Sequence, residues 1–275
     1  MAGIRDPNEG SWREAQGRLG LVGEPTVRAT AFYRMVIGAC RALATLLRIR
    51  IVVVGVEHLP LAANGLPPGG WIAAGLPHRS WIDPFVVTLG LPVEPRISWF
   101  GDGRAINRSA LRRWIFARIG GVVPIWPDGR RQAVDAHFEA AGRVLDAGGV
   151  FGLFPESGPA VPVGRARPFG GGIGYIAIRT GAPIVPLILG GTDLVYLGQR
   201  IILQVLPSTD WRTLADAPPS MPAPAPGSRE ERDLARRVTD ALHASTAKAV
   251  AEAHRDAERM APRRRRGTGL TRLFH

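Results

Sequence analysis

Cysteine is almost missing from this chain: Cys40 stands alone. A single thiol excludes an internal disulfide and any metal site built on paired cysteines, and it suits a reducing compartment. Lysine is equally scarce, with Lys248 the one example among 35 basic residues. Unbroken apolar runs are absent too. The longest uncharged stretch, "LPLAANGLPPGGWIAAGLP" from Leu59 to Pro77, has the length of a membrane-spanning helix. Its four prolines and four glycines exclude one there. The opening "MAGIRDPNEGSWREAQGRLG" is charged and has no apolar centre, so it does not read as a secretory signal.

What the chain does hold is arginine, with a formal net charge of +12 over 275 residues. Two readings stay open: a genome that writes arginine, alanine, glycine and proline freely, or an anionic partner such as nucleic acid, a membrane surface or a phosphorylated substrate. At 45% hydrophobic the chain can bury one good core with appendages.

Seven short β-rich segments bounded by glycine or proline run along it: "RIRIVVVG", "WIAAGL", "RISWFG", "GGVVPI", "GVFGLF", "APIVPLIL" and "RIILQVL". Helical patterns lie between several of them, at Pro84–Leu89, Arg104–Arg118, Arg130–Ala147 and Gly172–Arg179. This alternation predicts an α/β fold with a mixed, largely parallel sheet flanked by helices.

Residues 1–25 form a polar lead-in, and 26–215 the main domain. Within it, Thr26–Arg50 is an amphipathic helix with arginines at 34, 41 and 48. It either packs on the core or lies in a bilayer interface with its arginines reaching lipid phosphates. Residues 216–228 are a proline-rich linker, and 229–275 a charged helix with a basic tail.

The chemistry centres on "GLPHRSWIDPF". His78 and Asp83 would lie about 140° apart on one ideal helix, so they would not face each other. Pro84 also steers Asp83 away from helical angles. The pair therefore brackets a turn before a helix, where Asp83 can fold back to the imidazole. Asp83 could alternatively serve only to start that helix.

"PHRSWID" resembles the NHxSxxD block of glycerolipid acyltransferases, the lysophosphatidic acid acyltransferase family, matching at His78, Ser80 and Asp83. Further blocks resemble that family in order. They are "VVVGVEHLP" (52–60), "GLFPESG" (152–158) beside FPEGTRS, "RPFGGGIGYIA" (167–177) and "APIVPLIL" (182–189). Phe154, Pro155 and Glu156 match; Ser157, Gly158 and Pro159 do not, and Gly170 and Gly171 replace the lysines.

The resemblance implies acyl transfer from a thioester, acyl-CoA or acyl carrier protein, to a glycerolipid hydroxyl, with no cofactor and no metal. It casts His78 as general base, Asp83 as its orienting carboxylate, and Glu156 as a holder of the acceptor. Ser80, Phe154 and Pro155 lie in the same blocks and join the substrate site. Arg79, Arg130, Arg131, Arg165 and Arg167 are the arginines nearest those blocks and the candidates for a substrate phosphate.

The basic segment "RAINRSALRRWIFARIGG" adds Arg104, Arg108 and Arg112 beside Leu111, Trp114, Ile115 and Ile119. This pattern fits either a core-packed helix or a cationic face on anionic lipid. The expectation is an enzyme peripheral to the cytoplasmic face of a membrane. Two alternatives remain: an acyltransferase for another alcohol, and a non-catalytic nucleic-acid- or membrane-binding protein. The aromatics near arginines do not read as base-stacking platforms, so no nucleic acid is expected.

Overall fold

The computed structural model describes residues 27–60, 70–103, 108–111, 114, 119, 121–125, 131–157, 161–193 and 195–260. The lead-in 1–25, Arg104, Arg112, Ile115, Arg130 and the arginine-rich tail lie outside them.

In chain order the elements are α1 (Ala31–Leu46), β1 (Arg50–Val54), a 3-10 turn (Val56–His58), β2 (Trp71–Leu76), α2 (Asp83–Gly90), β3 (Ile97–Asp102) and β4 (Val122–Ile125). There follow α3 (Arg131–Asp146), β5 (Val150–Leu153), α4 (Gly172–Thr180), β6 (Ile184–Gly190), β7 (Arg200–Val205), α5 (Trp211–Leu214) and α6 (Arg229–Met260). All seven predicted strand segments are strands. They form one sheet in the order β1-β7-β6-β2-β5-β3-β4, and only β6 and β7 pair antiparallel. The mixed, mostly parallel α/β fold is therefore as expected.

Continuous burial along β2, β5 and β6 reflects helices on both faces of the sheet. Side chains alternate between two cores. Ile72, Ala74, Phe151 and Ile184 meet α3, α4, α5 and α6 on one face. Trp71, Ala73, Val150, Val185 and Leu187 meet Val86 and Val87 of α2 on the other. Each fully buried leucine or isoleucine adds roughly 1.5–3 kcal/mol relative to exposure.

Residues 216–228 lead directly into α6, whose Leu234, Ala235, Val238 and Leu242 are buried in the first core. At the start of α6, Glu231 is fully buried and meets Arg179 of α4 at 2.6 Å. The helix passes so close to α4 that a Cβ on Gly174 would fall 2.3 Å from the Ala235 carbonyl oxygen.

Helix α1 begins at Thr30, whose hydroxyl accepts the Tyr33 N–H. Tyr33 and Ile37 face the body. Arg34 donates to Glu94 at 2.5 Å, and Arg41 donates to the carbonyls of Leu89 and Leu91. These two arginines, exposed as they are, bond back onto the domain, as the core-packed one of the two readings has it. Ala31, Met35, Gly38, Ala39, Ala42, Leu43 and Leu46 form an exposed apolar stripe beside them. Among the described residues no helix is long and apolar enough to cross a membrane.

Candidate active site

Strands β2 and β5 are parallel neighbours, with Ala74 opposite Leu153. The loops leaving their C-terminal ends must therefore arrive side by side. One carries His78 to Asp83, the other Phe154 to Glu156. A crevice beyond strand ends is where open α/β sheets place ligands.

Asp83 opens α2 with a side chain that turns backward and caps no forward amide. Its Oδ2 lies 3.0 Å from His78 Nδ1 and accepts the N–H groups of Arg79 and Ser80 at 2.7 Å each. The residue is fully buried, and Oδ1 has no partner among the described residues. A carboxylate can only accept, so Nδ1 is the donor of this pair, and in the neutral ring the lone pair lies on Nε2. The His78 side chain is 44% exposed, leaving Nε2 accessible.

Aromatic rings fix the plane of that imidazole. His78 stacks on Phe154 with centroids 4.3 Å apart, and Phe154 stacks on Trp99 at 5.4 Å. Trp99 in turn donates through Nε1 to the Thr88 hydroxyl of α2. Two glycines make room for the stack. A Cβ on Gly75 would sit 2.4 Å from the Phe154 ring, and one on Gly152 2.5 Å from the Trp99 ring.

Residues 155–157 and 168–170 run back along each other. The Gly170 N–H donates to the Pro155 carbonyl, the Ser157 N–H donates to the Pro168 carbonyl, and Glu156 bridges Phe169. Glu156 Oε2 accepts the His78 N–H at 2.9 Å, and Oε1 accepts the Arg167 N–H at 2.9 Å. Arg79 donates its guanidinium N–H groups to the carbonyls of Val161, Pro162 and Arg165.

The structure thus brings His78, Arg79, Ser80, Asp83, Phe154, Pro155, Glu156, Arg165 and Arg167 into one neighbourhood. It also shows what several of them do there. The Arg79 guanidinium is spent on main-chain carbonyls. Arg167 contributes its main-chain N–H, while its Nε is buried with no hydrogen-bond partner among the described residues. Arg165 is exposed. Arg131 begins α3, at a distance in sequence from both loops, and Arg130 lies outside the described residues.

Asp193, just past β6 on the other side of β2, was missed by the sequence reading. Desolvation raises its pKa, attraction to His254 and Arg79 opposes that, and repulsion from Asp83 adds to it. Nothing local in "GGTDL" signals this coupling; the β6–β2 pairing sets the end of β6 beside the end of β2. Among the described residues no group of histidine, cysteine, aspartate and glutamate is placed to hold a metal ion.

A parallel-rich sheet thus carries a carboxylate-oriented histidine beyond its strand ends. A family model described as Acyltransferase matches residues 51–190, and the chain belongs to that acyltransferase family. The chain is also similar to the crystal structure of the 1-acyl-sn-glycerophosphate (LPA) acyltransferase PlsC from Thermotoga maritima. The identity is 19%, the TM-score is 0.50, and the match covers 90% of this chain and 83% of that one. At that identity the likeness speaks for the fold.

Proposed function

We propose that the enzyme transfers a fatty acyl group from a thioester, acyl-CoA or acyl carrier protein, to the free hydroxyl of a lysophospholipid, with lysophosphatidic acid the first acceptor to try. The observation that carries this reading is the 3.0 Å contact between His78 Nδ1 and Asp83 Oδ2, which leaves Nε2 exposed.

In this mechanism His78 Nε2 removes the acceptor's hydroxyl proton as the oxygen attacks the thioester carbonyl. Asp83 holds the tautomer and stabilises the imidazolium that forms. Collapse of the tetrahedral intermediate breaks the C–S bond, and the leaving thiolate takes the proton from Nε2. The substrate hydroxyl replaces a serine nucleophile, so no acyl-enzyme forms.

We further propose that the enzyme works at a membrane surface, on the cytoplasmic face and peripherally. The exposed stripe of α1 supports this, together with Leu111 and Trp114, which is in edge contact with Phe32. Exposed Trp81 and Phe85 flank the His78 loop. A bilayer would cover these apolar groups and deliver the acceptor, while the net positive charge favours anionic lipid.

A second acceptor class, a non-phosphorylated lipid alcohol, is favoured by one observation: the arginine next to His78 is committed to carbonyls rather than left facing the crevice. The test is purified enzyme with radiolabelled acyl-CoA or acyl carrier protein and a panel of phosphorylated and neutral acceptors. Labelled phosphatidic acid supports the first reading. Label only in neutral lipid selects the second, and no labelled ester from any acceptor sinks both.

A further inference from the structure

Three successive main-chain amides of the His78 loop are each held by a carboxylate. Asp83 takes the N–H groups of Arg79 and Ser80, and Glu156 takes that of His78. The other oxygen of Glu156 holds the Arg167 N–H. Glu156 therefore ties together His78, 78 residues earlier in the chain, and Arg167, 11 residues later. Arg79 makes a second tie between the same two stretches through the carbonyls of Val161, Pro162 and Arg165.

We propose that Glu156 is a positioning residue for His78, acting through the main chain, and that it does not bind the acceptor. The inference rests on the acyl-transfer reading above. Hydrogen bonds from N–H groups to a carboxylate are short and roughly twice as strong as neutral ones, so this carboxylate sets where residue 78 leaves the sheet. Its own loop also supplies Phe154, the ring under the imidazole. One strand end thus fixes both the face and the backbone of His78, while Asp83 fixes its edge. Charge argues the same way. A carboxylate one amide away from Asp83 would repel the phosphate of a phosphorylated acceptor rather than hold it.

Glu156→Gln keeps the shape but turns an acceptor oxygen into an NH2 group, which faces one of the two amides and breaks that bond. The experiment combines steady-state kinetics on a phosphorylated and a neutral acceptor with amide hydrogen exchange resolved by residue. Displacement of a reacting group by about 1 Å can cost 10²-fold. A fall in kcat of about 10–100-fold follows. KM should stay within about twofold, and the factor should be the same for every acceptor used.

The amide of His78 or of Arg167, whichever meets the NH2 group, should exchange faster, while those of Arg79 and Ser80 stay protected by Asp83. Unchanged exchange at both His78 and Arg167, or a loss confined to acceptor KM or to phosphorylated acceptors, would overturn the proposal. If the parent enzyme turns over no acceptor, the acyl-transfer reading fails, and the exchange data still decide whether Glu156 holds the loop. Thermal melting and exchange in β5 report folding. Should Glu156→Gln unfold, Glu156→Asp, which keeps the charge and shortens the reach, is judged by the same criteria.

Discussion

His78 and Asp83 share a 3.0 Å contact between Nδ1 and Oδ2, and that same oxygen also accepts the two amides that follow His78. One buried carboxylate thus orients the imidazole and shapes the turn that carries it. The two duties make different predictions for the two residues.

His78→Ala should leave the fold intact, because the ring is half exposed, and should abolish transfer. Asp83→Asn should lower kcat by about two to four decades through loss of the orienting charge. It should also destabilise, because two buried N–H groups lose an ionised acceptor. Calorimetry and acyl-transfer assays on both variants check this; near-parental turnover in folded His78→Ala ends the general-base mechanism.

The ring stack predicts that Gly75→Ala is harmful despite adding one methyl. Its Cβ would meet the Phe154 ring at 2.4 Å, with Cζ at 2.8 Å. The ring has to leave its place under His78. Overpacking of this kind costs roughly 1–3 kcal/mol, and activity should fall at least about tenfold as the imidazole loses its floor. A variant with parental melting temperature and parental kcat would show the stack to be dispensable.

For α1, the exposed stripe rather than the arginines should govern membrane binding. Salt should weaken binding to anionic vesicles by screening over a Debye length of about 10 Å at 0.1 M, but a salt-resistant fraction should remain. Leu43→Asp combined with Leu46→Asp should remove that fraction, because these are two of the largest exposed apolar side chains of the helix, Leu46 being 79% exposed. Vesicle co-sedimentation at low and high salt measures both parts. Binding that vanishes entirely in salt would return the role to the arginines.

Asp210 caps α5: its Oδ1 accepts the N–H groups of Arg212 and Thr213, and its Oδ2 the Thr213 hydroxyl. Burial pushes its pKa up, but these bonds and the Arg212 charge outweigh that and leave it below the ordinary 3.8. A carboxyl depressed on folding stabilises above its unfolded pKa and loses that contribution as pH falls through the folded value. Asp210→Ala should therefore cost about 1 kcal/mol near neutral pH. The gap from the parent should narrow below about pH 4. Urea titrations at pH 7 and pH 3 are the measurement; a gap that widens in acid contradicts the sign.

The seven strands and most helices were legible because their signals are local. Period-two and near-continuous apolar runs between glycines and prolines specify β segments wherever the chain later places them. The His78–Asp83 pair was legible for the same reason: five residues around a proline leave few ways for the two side chains to meet. Helix α5 was not anticipated, since four residues carry no periodicity.

Other features depended on contacts distant in sequence. The heptad spacing of Arg34 and Arg41 placed them on one side of α1, but which side faces the body depends on Glu94 and the Leu89 and Leu91 carbonyls. The guanidinium of Arg79 meets the Val161 and Pro162 carbonyls, 82 and 83 residues further along the chain. Glu156 meets the His78 amide only because β2 pairs with β5. Hydrogen-bond partners, unlike periodicity, are set by strand order and register. These are properties of the whole sheet, and no window of sequence contains them.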